Sequence, residues 1–99
     1  MNNTFTPREI NLIYEFLANI NEDIELSVLF FTLDAGEYGP LFDSVCQKLE
    51  NYTMFTAFTE NEIRVILDAL QLGLEFDSLE IRCVARSAYK KAQAILAAL

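Results

Sequence analysis

The chain has 99 residues, of which 53% are hydrophobic and 22% are charged, with three glycines and two prolines. This composition predicts a single helical domain over residues 1–99 and excludes a disordered tail, a collagen-like rod and a flexible linker. The longest unbroken apolar run, residues 94–99, has six residues, against about 20 for a membrane-spanning helix. We therefore expect no membrane association.

The hydrophobic content is high for a chain of this size, which contains eight phenylalanines and four tyrosines. One small core cannot bury so much apolar surface, and the surplus in such proteins usually lies in a subunit interface or a binding groove. We therefore expect a homo-oligomer, in its simplest form a homodimer.

Fifteen acidic residues against seven basic ones give a net charge of −8, and there is no histidine. All the acids lie within residues 1–81, whereas four of the seven bases lie within residues 82–99. Nucleic-acid phosphates are bound mainly by basic surfaces. The acidic balance therefore makes nucleic acid an unexpected partner.

The beginning of the sequence lacks the basic and apolar regions of a signal peptide, which favours a cytoplasmic location. Two cysteines, Cys46 and Cys83, are too few for a disulfide framework and fall at apolar helix positions. We expect both to be reduced thiols in the core. Without histidine, neither a thiol–histidine pair nor a zinc site containing histidine can form.

A helix-start motif occurs three times, at residues 5–10, 58–63 and 76–81. Each copy has phenylalanine, then threonine or aspartate, two variable residues, glutamate and isoleucine. The threonine or aspartate suits the N-cap, and the glutamate can accept a hydrogen bond from the backbone N–H of that cap in a capping box. The phenylalanine can pack on the isoleucine. The predicted caps are Thr6, Thr59 and Asp77, and their predicted partners are Glu9, Glu62 and Glu80.

The first two copies agree over a longer stretch, because residues 5–17 and 58–70 share six identical residues in thirteen positions. This agreement is consistent with an internal duplication of a helical unit at an offset of 53 residues. The alternative is that capping and amphipathic spacing converge on the same pattern independently. The sequence leaves both interpretations open.

Hydrophobic periodicity predicts an all-α, compact bundle of about five helices with short connections. The predicted helices cover approximately residues 7–20, 23–33, 40–52, 60–72 and 78–98. The second is ambiguous, because residues 28–32 also have strand character. Residues 34–40 read as a loop from which Pro40 opens the third helix, and Gly73 reads as the C-terminal cap of the fourth.

The opening residues Phe5-Thr6-Pro7-Arg8-Glu9 resemble the start of LuxR-type helix-turn-helix domains. That family continues with a glycine-containing turn and a basic recognition helix. Residues 19–23 contain no glycine, and residues 25–33 contain no base. Because helix capping accounts for the similarity, we do not assign the chain to this family.

The sequence offers no nucleophile–base pair, no glycine-rich phosphate loop and no calcium-binding loop. Most carboxylates fall in predicted first turns of helices, where capping explains them. We therefore expect a protein that is not an enzyme and that has no catalytic residues, no cofactor and no metal site.

Two groups of residues are candidates for an interaction surface. Tyr38, Phe42 and Tyr52 could line a partner-binding surface beside the predicted loop, the alternative being that Phe42 belongs to the core with Tyr38 packed on it. The second group, Arg82, Arg86 and Lys90, recurs at steps of four residues and forms a basic stripe on the last helix. Three interpretations of this stripe are open. It is a solvated helix face, it pairs with acidic residues of this chain or of a dimer mate, or it contacts nucleic acid or an acidic partner.

These features predict a small non-catalytic helical protein that acts through protein–protein interaction, as a homodimer, with a protein partner that the sequence does not identify. An alternative is an acidic inhibitor or immunity-type protein that covers a basic surface of an enzyme. A third interpretation is a DNA-binding regulator that uses the basic face of residues 82–91 in a dimer.

Overall fold

The computed structural model describes the backbone of residues 4–22 and 35–99 and the side chains of residues 4–19 and 41–99. These residues form four helices and no strands, which confirms the all-α prediction. The helices are α1 (Pro7–Glu22), α2 (Ala35–Glu50), α3 (Glu60–Leu74) and α4 (Leu79–Ala98). The additional helix predicted over residues 23–33 lies outside the described residues, and so does the choice there between helix and strand. In the described ranges, no helix is both long enough and apolar enough to cross a membrane.

Helices α1 and α3 begin where the capping motif predicts. In α1, the Glu9 N–H donates to Thr6 Oγ1 (3.2 Å), and the Thr6 N–H donates to Glu9 Oε1 (2.7 Å). In α3, Glu62 and Thr59 exchange the same two hydrogen bonds at the same distances. Both capping boxes are therefore confirmed, and each satisfies two backbone N–H groups that a helix start would leave without partners.

The third predicted helix start is wrong by one residue. Helix α4 begins at Leu79, and its N-cap is Ser78, whose side chain accepts a hydrogen bond from the Ile81 N–H (3.4 Å). Glu80 then occupies the second helical position and forms an ion pair with Arg8. Aspartate and serine cap helices about equally well, so the adjacent pair Asp77-Ser78 offers two registers that the motif alone does not distinguish.

The predicted loop over residues 34–40 is wrong from Ala35 onward, because α2 begins there. The helix also ends at Glu50 rather than near residue 52. Proline disfavours a helical conformation in the residue before it, partly through a clash with that residue's Cβ. Here that residue is Gly39, which has no Cβ, so the restriction is weaker. Pro40 has no N–H to donate, so α2 lacks one backbone hydrogen bond at this point. The fixed φ of proline is nevertheless compatible with a helix.

The core lies between α1 and α3, and α2 and α4 pack on both of these helices. The largest fully buried apolar side chains come from α1, α2 and α3, whereas α4 contributes small ones. They are Ile13 and Leu17 of α1, Val45 of α2, Ile63, Val65, Ile66 and Leu70 of α3, and Ala85, Ala88 and Ala92 of α4. The alanines allow α4 to approach its neighbours closely.

Gly73 is part of this close approach and is not the C-terminal cap that the sequence predicts. Helix α3 continues to Leu74, and Glu75 is its C-cap. Gly73 is buried, and a Cβ at this position would lie 2.7 Å from both Ala85 Cβ and Phe16 Cε2. Only glycine allows the backbone of α3 to come this near to α1 and α4.

We expect Gly73→Ala to destabilise the fold by about 1–3 kcal/mol, because the added methyl group overpacks the contact with Ala85 and Phe16. The free energy of unfolding in urea measures the effect. Gln71→Ala, at an exposed position of the same helix, is the control and should stay within about 0.5 kcal/mol of wild type. Equal stabilities for the two variants would contradict the close approach.

Candidate functional site

Two buried glutamates connect the helix starts to distant parts of the chain. Glu9 and Glu62 are only 3% and 2% exposed, and they are the same residues that close the two capping boxes. Lys91 of α4 donates to Glu9 Oε1 (2.6 Å), and Lys48 of α2 donates to Glu62 Oε1 (2.6 Å). The Oε1 atom of each glutamate therefore accepts one hydrogen bond from the backbone of its own cap and another from a lysine on a different helix.

The second oxygens of these two carboxylates have different environments. At Glu62, the Ser44 hydroxyl donates to Oε2 (2.5 Å). At Glu9, Oε2 is buried and accepts no hydrogen bond from the described residues. A buried carboxylate oxygen without a donor is costly, so this atom is the least satisfied part of the arrangement.

Both carboxyl groups have a lowered pKa. Burial alone would raise the pKa of Glu9, but the hydrogen bonds from Lys91 and Thr6 and the charge of Lys91 together outweigh it. For Glu62, burial is likewise outweighed by hydrogen bonds from Lys48, Ser44 and Thr59. Both glutamates are therefore ionised at neutral pH and act as structural anchors of the helix starts.

Tyr52 lies between the phenylalanines that precede the two caps. The Phe5 N–H donates to Tyr52 Oη (2.9 Å). The Tyr52 ring centroid lies 5.9 Å from that of Phe5 and 6.3 Å from that of Phe58. The structure therefore gives this predicted surface residue contacts that join the two helix starts, although its side chain remains half-buried.

The other aromatic candidates are only partly located. Phe42 is half-buried and packs against the core, as the alternative interpretation expects. The side chain of Tyr38 lies outside the described residues. A shared binding surface formed by Tyr38, Phe42 and Tyr52 stays a prediction.

The basic stripe is placed on α4, where Arg82 is half-buried and Arg86 and Lys90 are exposed. None of these three takes part in the ion pairs of the described residues. Those pairs are Arg8–Glu80, Lys48–Glu62, Arg64–Glu60 and Lys91–Glu9. Among the described residues, the base of α4 that forms an ion pair is thus Lys91. Lys91 is not part of the stripe, whose members recur at steps of four residues.

An exposed apolar loop, residues 51–57, connects α2 to α3. Its side chains fix its shape, because the Thr53 N–H donates to Thr56 Oγ1 (2.9 Å) and the Phe55 N–H donates to Thr53 Oγ1 (3.2 Å). Met54 and Phe55 are 68% and 85% exposed at its tip. The two threonines three residues apart are the sequence signal that could have identified this ordered turn.

A cleft of about 420 Å³ opens beside this loop. Its lining side chains are uncharged and include Tyr52, Met54, Phe58, Ile95 and Leu99. A second cleft of about 410 Å³ shares Tyr52 and Met54 with the first and extends towards Phe5 and Ile10 of the first helix start. An apolar surface with exposed aromatic and aliphatic side chains therefore surrounds the loop tip.

The metal-ligating residue types of the described residues do not cluster. They contain no group of three or more histidine, cysteine, aspartate or glutamate side chains that could hold a metal ion. Both cysteines are free; Cys46 is half-buried, whereas Cys83 is exposed, so the prediction of a second core thiol is wrong. Cys83 lies on the outward side of α4, whose buried side is formed by alanines.

Comparison of the chain with protein-family models, with curated proteins and with solved structures finds no match.

We expect Lys48→Met and Lys91→Met each to destabilise the fold by about 2 kcal/mol, since each leaves a buried glutamate without its cation. This is less than for a fully enclosed pair because both lysines are partly exposed. Chemical denaturation measures the loss. Arg64→Met is the matched control, because it breaks an exposed pair with Glu60 and should cost less than about 1 kcal/mol.

We also expect stability to fall in acid because of Glu9 and Glu62. A glutamate whose pKa is lowered in the folded state contributes its stability above the ordinary value of 4.5 and loses it as the pH falls through the folded pKa. The free energy of unfolding, measured between neutral pH and about pH 2, should decline below this value. Glu9→Gln and Glu62→Gln should each make that decline shallower, and an unchanged slope would contradict the assignment.

Proposed function

We propose that the protein acts by binding another protein chain through the 51–57 loop and the adjoining apolar clefts, and that a second copy of this chain is the occupant. The observation that carries the proposal is the ordered turn that holds Met54 and Phe55 in solvent. An ordered backbone loses little conformational entropy on binding, and large apolar side chains exposed on such a backbone are typical anchors of interfaces.

Two properties of this surface favour a second copy as the occupant. The lining of the larger cleft is uncharged, whereas the chain as a whole carries −8, so copies approaching here avoid direct contact between like charges. A projecting Phe55 and a cleft also lie next to one another. In a twofold arrangement each copy can insert its loop tip into the cleft of the other.

A cytoplasmic location is part of the same proposal. Both cysteines are free, as is usual in a reducing compartment. The proposed function is binding alone, so it needs no catalytic residue.

A second candidate function, an acidic inhibitor of a basic enzyme surface, is favoured by the turn between α3 and α4. Residues 75–80 are all exposed, and acidic residues alternate there with Phe76 and Leu79. The chain has fifteen acidic residues against seven basic ones, and ion pairs within the described residues already engage four of those bases. Association through this turn would weaken strongly as salt is raised, whereas association through the uncharged cleft would not.

Sedimentation equilibrium of wild type, Met54→Asp and Leu79→Asp, at low and high salt, tests the proposal. We expect a wild-type dimer that persists at high salt and a monomeric Met54→Asp variant, because the introduced carboxylate would be buried without a partner. Leu79→Asp is the matched control, since Leu79 is as exposed as Met54, at 68%. It should leave the dimer intact.

Three outcomes would contradict a homodimer that forms through the loop and the uncharged cleft. These are a wild-type monomer at all concentrations, an equal loss of dimer in both variants, and a dimer that dissociates in high salt. Circular dichroism melting of each variant verifies that any monomer is folded.

A further inference from the structure

A short pattern on α2 recurs on α4. Ser44 stands four residues before Lys48, and Ser87 stands four residues before Lys91. Residues four apart lie on the same face of a helix, so each serine lies one turn before its lysine on that face. The spacing between the two copies is 43 residues, ten fewer than the offset of 53 between the capping boxes.

The two lysines bind the capping boxes in a crossed manner. Lys48, on the second helix of the pair α1–α2, binds Glu62 at the start of α3. Lys91, on the second helix of the pair α3–α4, binds Glu9 at the start of α1. Each helix pair therefore anchors the first helix of the other pair, as two copies of one unit related by an approximate twofold axis would do.

Positions that follow from this equivalence agree in burial only in part, since Ser44 is half-buried whereas Ser87 is exposed. Val45 and Ala88, each one residue after its serine, are both fully buried. Four residues after each lysine come Tyr52 and Ile95. Both line the larger cleft, beside Phe58, the residue that precedes the second cap.

We infer that the pairs α1–α2 and α3–α4 are equivalent units, and that the Ser87 hydroxyl donates to Glu9 Oε2 as the Ser44 hydroxyl donates to Glu62 Oε2. Two independent observations support this assignment. Glu9 Oε2 is buried with no donor among the described residues, and Ser87 occupies the position relative to Lys91 that Ser44 occupies relative to Lys48. Because Ser87 is exposed, the hydrogen bond requires its hydroxyl to turn towards Glu9.

Carboxyl NMR titration of Glu9 and Glu62 in the full-length protein tests the inference. Ser44→Ala should raise the pKa of Glu62 and leave that of Glu9 unchanged, because the ionised carboxylate loses one donor. Ser87→Ala should raise the pKa of Glu9 to a comparable extent and leave that of Glu62 unchanged. Ser87→Thr, which retains the hydroxyl group, should keep the pKa of Glu9 near its wild-type position.

This readout separates the hydrogen bond from a general effect on α4, since serine to alanine also changes helix propensity. Gln93→Ala, at an exposed position of the same helix, is the control and should shift neither glutamate. An unchanged Glu9 pKa in Ser87→Ala, beside a raised Glu62 pKa in Ser44→Ala, would overturn the assignment. In that case a water molecule or no group at all completes the Glu9 site.

Discussion

The fold depends on two buried carboxylates that are each shared between a helix cap and a distant lysine. A capping box is normally a local device that satisfies the first N–H groups of one helix. Here Glu9 and Glu62 are also buried, and a buried charge is tolerated only with a compensating partner. Lys91 and Lys48 supply that partner from other helices. The start of α1 is thereby attached to α4, and the start of α3 to α2.

This double role explains which parts of the site could be predicted. The bonds between Thr6 and Glu9 lie within one turn, so residue types and spacing were sufficient to place them. The burial of Glu9 and its bond to Lys91, 82 residues away, depend on how helices pack, and no local pattern encodes that. The cap of α4 was predicted at Asp77 and not at Ser78 for a different reason. The two neighbouring residues are equally good caps.

The bundle also shows how small residues set the distances that sequence periodicity leaves undetermined. A glycine near a helix end is usually read as a stop signal, yet Gly73 is inside α3, where its missing side chain admits Phe16 and Ala85. If the two helix pairs are copies of one unit, Ala88 stands where Val45 does in the first. On that equivalence, the smaller side chain in the second pair allows α4 to approach its neighbours more closely than α2 does.

The apolar surplus that marks this sequence is only partly used inside the bundle. The described core is lined with small alanines along α4, while Met54 and Phe55 remain in solvent on a loop held by threonine side chains. The net charge does not account for this placement, because charge alone keeps copies apart. An uncharged apolar surface is where a strongly acidic chain can meet a second copy without placing carboxylates against each other. The loop is therefore the surface at which we propose that two copies meet, and the acidic residues determine where contact between copies is unfavourable.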